Sequence, residues 1–289
     1  MMAIFLGVCT ALHLGALMAW FGALSLQWVL PRRLVRAKTP PLLPAAALVL
    51  VSGVVWPWLE TAVVLDDSWA LLDPGQVAQV LTQTSFGRIW LLRELVVVLA
   101  ILGSTVPLLA SGRATYVLVA GALASMALLG HAAGVPGVAG TLERVTMGLH
   151  LLAAGAWLGA LPLLWLMAGE LETPVLALAL QRFSRYGLVM VGIVVTTGAI
   201  SAALRTGSVQ ALLGSDYGRV LLGKIGLVAL MGVTAIINRN RLTPALVQPD
   251  LIAREATRRA LRWSIGIETG LALGVVCVAV ALGALEAPQ

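Results

Sequence analysis

HLGALMAWFGAL, residues 13–24, is matched without a gap by HLLAAGAWLGAL, residues 150–161, with identity at eight of twelve positions. Each stretch is apolar except for one histidine, His13 or His150. Each has a tryptophan seven residues later, Trp20 or Trp157, and then a glycine, Gly22 or Gly159. The two lie within longer apolar runs, 4–30 and 142–168. About 20 mainly apolar residues are enough to cross a bilayer as a helix. Low-complexity apolar helices often match by chance, but rarely through a shared His and Trp, so the match predicts a chain of two related halves.

Working outward, a second pair supports the first. SFGRIWLLRE (85–94) aligns with DYGRVLLGKI (216–225), pairing Gly87 with Gly218, Arg88 with Arg219, and Arg93 with Lys224. A weaker match centres on Gly53 and Gly198. Around these, apolar runs recur at 4–30, 42–65, 86–110, 114–134, 142–168, 179–205, 217–238 and 261–285. The expected fold is an all-α integral membrane protein of about eight transmembrane helices. It divides into two four-helix halves, 1–138 and 139–289. Four is even, so both halves run the same way, and such parallel repeats are related by a pseudo-two-fold axis along the membrane normal. Pro57 and Pro162 fall within spans and are expected to kink them, which neighbouring helices can tolerate.

Composition agrees with this class. Apolar residues make up 60% of the 289 and charged residues 11%, where a soluble domain has nearer a quarter charged. The net charge of +6 is not read as a nucleic-acid surface, because the basic residues of the loops fall in alternate loops. The first loop holds Arg32, Arg33, Arg36 and Lys38; the third holds Arg113; Arg182 and Arg185 flank the fifth; and the seventh holds Arg239, Arg241, Arg254, Arg258, Arg259 and Arg262. Loop two carries Asp66, Asp67 and Asp73 instead. The positive-inside rule makes the odd loops cytoplasmic and turns both termini outward. The second loop, 66–85, has room for a short amphipathic segment. The first run lacks the basic start of a signal peptide and reads as a retained helix. Cys9 and Cys277 both lie in apolar runs, which argues against a disulfide framework.

Three histidines, His13, His131 and His150, all fall in apolar spans and, on this orientation, in the outer half of the membrane. Imidazole in hydrocarbon needs a partner or a protein-lined cavity. One reading is a hydrogen bond to a neighbouring helix; the other is a metal site. Cys9 lies four residues before His13 and Met147 three before His150, each one turn outward on the same face. Imidazole, thiolate and thioether together suit copper, Cu(I) above all. The candidate ligands are therefore His13, His150 and His131, with Cys9 and Met147. Trp20 and Trp157 lie two turns deeper, as packing residues or the floor of an outer cavity. Arg88, Arg93, Glu94, Arg219, Lys224 and Glu268 are charges within spans, and such residues usually face the bundle and pair. No P-loop, dinucleotide fingerprint, nucleophile elbow or zincin motif occurs, and no enzymatic function is expected.

The paired H-x6-W-x-G helices, FGRIWLLRE (86–94), GHAAG (130–134), RFSRYG (182–187), YGRVLLGK (217–224) and NRNRLTP (238–244) resemble, in order and spacing, the copper resistance protein D (CopD) family. The resemblance is strongest from about residue 140 to the C-terminus. It implies a multi-pass protein of the bacterial inner membrane that handles copper, moving it from periplasm to cytoplasm. It also implies a small periplasmic copper-binding partner of the CopC type. The competing expectation is a membrane redox protein of four-helix-bundle type. Its heme b would be held by two facing histidines, of which His13 and His131 share one half.

Overall fold

A computed structural model describes residues 1–30, 42–105, 112–129 and 137–285. The described residues form helices and turns and no strand. The long elements are α1 (Met2–Val29), α2 (Leu42–Val64), α4 (Ser85–Thr105), α5 (Gly112–Ser125), α6 (Gly137–Leu158), α8 (Thr173–Thr206), α10 (Asp216–Ile237) and α11 (Leu251–Ala284). Three short helices join them: α3 (Pro74–Gln83), α7 (Leu161–Glu170) and α9 (Val209–Gly214). Among the described residues, six stretches are long and apolar enough to cross a membrane: α1, α2, α6 with α7, α8, α10 as far as Ala245, and α11. The expected span 86–110 forms α4, whose 21 residues include Arg88, Arg93 and Glu94. The expected span 114–134 forms α5 and a 3-10 turn to Leu128, a shorter apolar helix, and its far end lies outside the described residues. So do Arg32, Arg33, Arg36 and Lys38 of the first basic loop.

Local chemistry sets several boundaries. The amphipathic segment expected in 66–85 is α3. Asp73 caps it by accepting from Gly75 N (2.8 Å) and Gln76 N (3.3 Å), with Pro74 at its first position. The same elbow then occurs twice. Thr84 Oγ1 accepts from Gly87 N (3.0 Å) where α3 turns into α4, and Ser215 Oγ accepts from Gly218 N (3.0 Å) where α9 turns into α10. A Cβ on Gly87 would fall on the backbone of Leu81, and one on Gly218 on that of Leu212. The Gly pairing seen in the sequence thus corresponds to one turn built in two places. α2 continues unbroken across Pro57. Pro162 does not kink a continuous helix as expected: the helix breaks at Gly159–Ala160, and Pro162 sits in the first turn of α7, where a missing N–H costs nothing.

The core lies around α1, which packs against α2, α5, α6, α7, α8 and α11. Leu17, Trp20 and Leu26 are fully buried. Large apolar side chains such as Val51, Val54, Val189, Val195, Leu230 and Val233 are exposed instead, as expected of a surface that meets lipid rather than water. The two matched stretches of sequence pack on each other. A Cβ on Gly22 would fall on the backbone of Gly159 and Ala160, and one on Gly159 on the backbone of Met18. Small residues permit such close approach between membrane helices. Contact between equivalent positions is expected where two like units meet about a two-fold.

This crossing has no room for a side chain at Gly159, where backbone and not a flexible side-chain end would be struck. Gly159→Val is expected to destabilise the protein by about 1–3 kcal/mol, the usual cost of overpacking. Gly121→Ala on α5, which meets open space, should stay within about 0.5 kcal/mol of wild type. Unfolding in detergent would measure both, and equal effects would refute the close crossing.

Candidate metal centre

His13 is fully buried on α1 and faces α2. Its Nδ1 lies 3.0 Å from Ser52 Oγ. Cys9, one turn earlier on the same face, donates its thiol to the Ser52 carbonyl at 3.4 Å. His150 repeats the arrangement between α6 and α8, with its Nδ1 3.0 Å from Thr197 Oγ1. Ser52 precedes Gly53 and Thr197 precedes Gly198, so the weak sequence match around those glycines marks the place where each histidine docks. The His150 ring lies over Gly198, where a Cβ would come into ordinary contact with its Cε1 at 3.5 Å.

The Ser52 hydroxyl is placed to donate to the Val49 carbonyl (3.2 Å), and Thr197 to the Ile193 carbonyl (2.6 Å). With its one hydrogen given there, each hydroxyl accepts from the imidazole, and in that tautomer Nδ1 carries the proton and Nε2 the lone pair. His13 Nε2 is buried and without a hydrogen-bond partner. A histidine held through one nitrogen with the other open is how proteins present imidazole to a metal.

Charge surrounds the two places differently. Arg93 is 2% exposed and pairs with Glu94 at 3.0 Å, so these two intramembrane charges do face the bundle and pair, as expected. The guanidinium also lies 5.0 Å from the Trp56 ring centroid and 2.6 Å from Met126 Sδ. Trp56 in turn meets His13 edge-on at 5.5 Å. Near His150 the equivalent cation is Lys224, close enough for the two charges to interact, and Ile225 stands where the first half has Glu94. Arg205 pairs with Glu143 at 2.8 Å. Arg88 and Arg219 are exposed, the latter bonded to Asp216 at 3.2 Å.

Of the expected ligands, Cys9 and His13 come together on Ser52, while His150 sits on Thr197 in the other set of helices. Met147 is half-buried one turn before His150. His131 lies outside the described residues, and with it the histidine pair of the heme reading. Among the described residues no three His, Cys, Asp or Glu side chains gather as a ligand set. Both cysteines are free. Ser52, Thr197 and Trp56 were not expected as site residues. The Ser-Gly and Thr-Gly pairs were the available signal, but small polar residues are common in apolar helices.

A buried histidine beside a thiol on α1 and a half-buried histidine on α6, each against a hydroxyl of the neighbouring helix, lie within a multi-helix membrane protein. The comparisons give the family. The description "Copper resistance protein D" matches residues 177–282, and "Copper resistance protein D-like, N-terminal domain" matches residues 1–141. The chain is 32% identical over 288 residues to copper resistance protein D of Pseudomonas syringae pv. tomato, covering 93% of this chain and 91% of that one. It is 29% identical over 258 residues to inner membrane protein YebZ of Escherichia coli, covering 86% and 85%. It is 28% identical over 233 residues to copper transport protein CutJ of Bacillus subtilis, covering 75% of this chain and 40% of that longer one. No solved structure matches it. The chain belongs to the copper resistance protein D family.

The Arg93–Glu94 pair yields a stability prediction. Arg93→Met leaves a buried carboxylate uncompensated and should cost about 3–5 kcal/mol, whereas Arg93→Met with Glu94→Gln should recover most of that loss. Unfolding titrations in detergent distinguish the two; equal losses would mean that the pair is not coupled.

Proposed function

We propose that this protein carries copper across the bacterial inner membrane from periplasm to cytoplasm. Two repeat-related outer stations would hold the metal, one at His13 with Cys9 and one at His150 with Met147. The observation that carries the proposal is the double fixing of imidazole: Ser52 and Thr197 each hold Nδ1 and leave Nε2 as the free donor. Thiol, thioether and imidazole favour Cu(I). His131 would add a third nitrogen at the same end. The names of the family and of two relatives point to copper resistance and transport, and one relative is named as an inner membrane protein.

In this reading residues 1–138 and 139–289 are parallel four-helix halves, and the α1–α6 crossing lies on their pseudo-two-fold. The basic loops face the cytoplasm and both termini face the periplasm. A small soluble copper protein of the CopC type would deliver metal to the outer stations. The recurrent His–hydroxyl bond, the two cap-and-glycine elbows and the contact of Gly22 with Gly159 support the two-half arrangement.

Purified protein loaded with Cu(I) in detergent provides the test. Wild type should bind copper, and His13→Ala and His150→Ala should each remove a share of it. Ser52→Ala, which only frees the ring of His13, should weaken that site about 10–100-fold, the usual effect of losing a group that orients a metal ligand. If both histidine variants fold, insert and bind copper as wild type does, the histidines are structural and the copper site is elsewhere.

A further inference from the structure

The second half contains a feature that the copper stations do not use. A cavity of about 180 Å3 lies between α6, α7, α8, α10 and α11, walled mainly by apolar side chains such as Leu164, Phe183 and Ile265. Trp157 closes one side of it, two helical turns along α6 from His150. An adjoining cavity of about 270 Å3 shares Leu180, Ser184, Arg239 and Thr243 with it and adds the exposed Arg185 and Asn240. Together they form a funnel from the basic end of the helices to a buried carboxylate, Glu268, which is 4% exposed. On the orientation proposed above, the funnel opens to the cytoplasm.

The surroundings of Glu268 are those of a carboxyl group that holds a proton. Asn238 Nδ2 donates to its Oε1 at 2.6 Å. The Thr234 hydroxyl is also in hydrogen-bonding reach of the carboxyl. No ion pair to Glu268 occurs among the described residues. Arg239 is the other charged residue lining its cavity, and the side chains contributed by α6, α7 and α8 are uncharged. On α1, Ala19–Val29 contains no charged residue. α10 passes into a π-helical turn at Asn238–Leu242, directly beside the carboxyl; such turns are frequent at functional sites.

We propose that Glu268 is a proton-binding station at the base of a cytoplasm-facing funnel, and that Trp157 separates it from the outer copper station at His150. A proton fits better than a metal ion. The mouth carries Arg185 and Arg239, which repel cations, and no thiol, thioether or imidazole lines the cavity. Calcium takes about 6–8 oxygen ligands, more than Glu268, Asn238 and Thr234 supply. A proton needs only water in the funnel and one carboxylate oxygen. It would be taken from cytoplasmic water as the carboxyl forms and returned there as it ionises. Linkage to copper movement rests on the transport reading; the proton site itself does not.

Infrared spectra of the full chain in lipid nanodiscs test the site without copper. Wild type should show a carboxylic-acid C=O band that shifts in heavy water and fades as pH is raised. Glu268→Gln, which keeps the Asn238 contact, should lack that band. Absence of the band in wild type, its persistence in Glu268→Gln, or insensitivity to pH would overturn the proposal. Because the pH and isotope effects are read on wild type, a variant that fails to fold does not remove the test. Proteoliposome uptake of Cu(I) addresses coupling: the dependence on interior pH should be lost in Glu268→Gln while copper binding is unchanged. Dependence on sodium instead of pH would overturn the proton assignment. No uptake by wild type, with the infrared band present, would sink the transport reading and leave the proton site standing.

Discussion

The close crossing of α1 and α6 is the constraint on which the other arrangements depend. Two helices can approach with backbone against backbone only where neither bears a side chain, and Gly22 and Gly159 provide that place. The crossing buries Trp20 and Trp157 within the bundle, fully in the first case and to 3% exposure in the second. It also breaks the α6 helix just beyond Trp157, so that α7 departs as a separate segment. With α1 and α6 locked together at this level, the histidine two turns before each tryptophan is directed outward from the crossing, toward α2 for His13 and toward α8 for His150. Each ring then needs a partner from that next helix, because an imidazole cannot be left dry among apolar side chains without cost.

Much of this was legible in the sequence because membrane helices leave strong signals. Apolar run length set the helices, and the His–Trp–Gly and Gly–Arg matches picked out the residues that the fold uses twice. The charges Arg93 and Glu94 could be expected to pair because unpaired charge in hydrocarbon is costly. What was not legible depends on distance between helices. The equivalent positions of His13 and His150 could be read from the match, but symmetry fixes depth without fixing direction. Helix–helix docking turns the two rings to different partners. Ser52 and Thr197 were overlooked because a hydroxyl in an apolar helix commonly bonds its own backbone, as both do here. Only the third dimension shows that each accepts from a histidine as well. The break at Gly159–Ala160 was likewise hidden behind Pro162, which sits in a first turn where proline is harmless.

On the two-half reading proposed above, the matched stretches share a plan but differ in charge. Arg93 is neutralised by its neighbour Glu94, whose place in the second half is taken by Ile225. Trp56, which lies between His13 and Arg93, corresponds to Ser201 when Ser52 is aligned with Thr197, and Glu60 corresponds to Arg205. The second half meets its extra positive charge differently, with Glu143 on α6 pairing to Arg205. The two histidines thus share a hydrogen-bond geometry and differ in the charges around them.

The choice of hydroxyls to hold the histidines follows from that field. In soluble metal sites a carboxylate commonly takes the second ring nitrogen, and it brings a full negative charge. Within a membrane that charge would have to be compensated, as Glu94 is by Arg93. A serine or threonine that gives its hydrogen to the preceding turn of its own helix offers an acceptor with no net charge and no unsatisfied donor. The ring is then oriented, and its Nε2 keeps a lone pair to offer. A univalent soft cation is suited to such a donor: it gains a lone pair and a neighbouring sulfur without having to displace a proton from the imidazole.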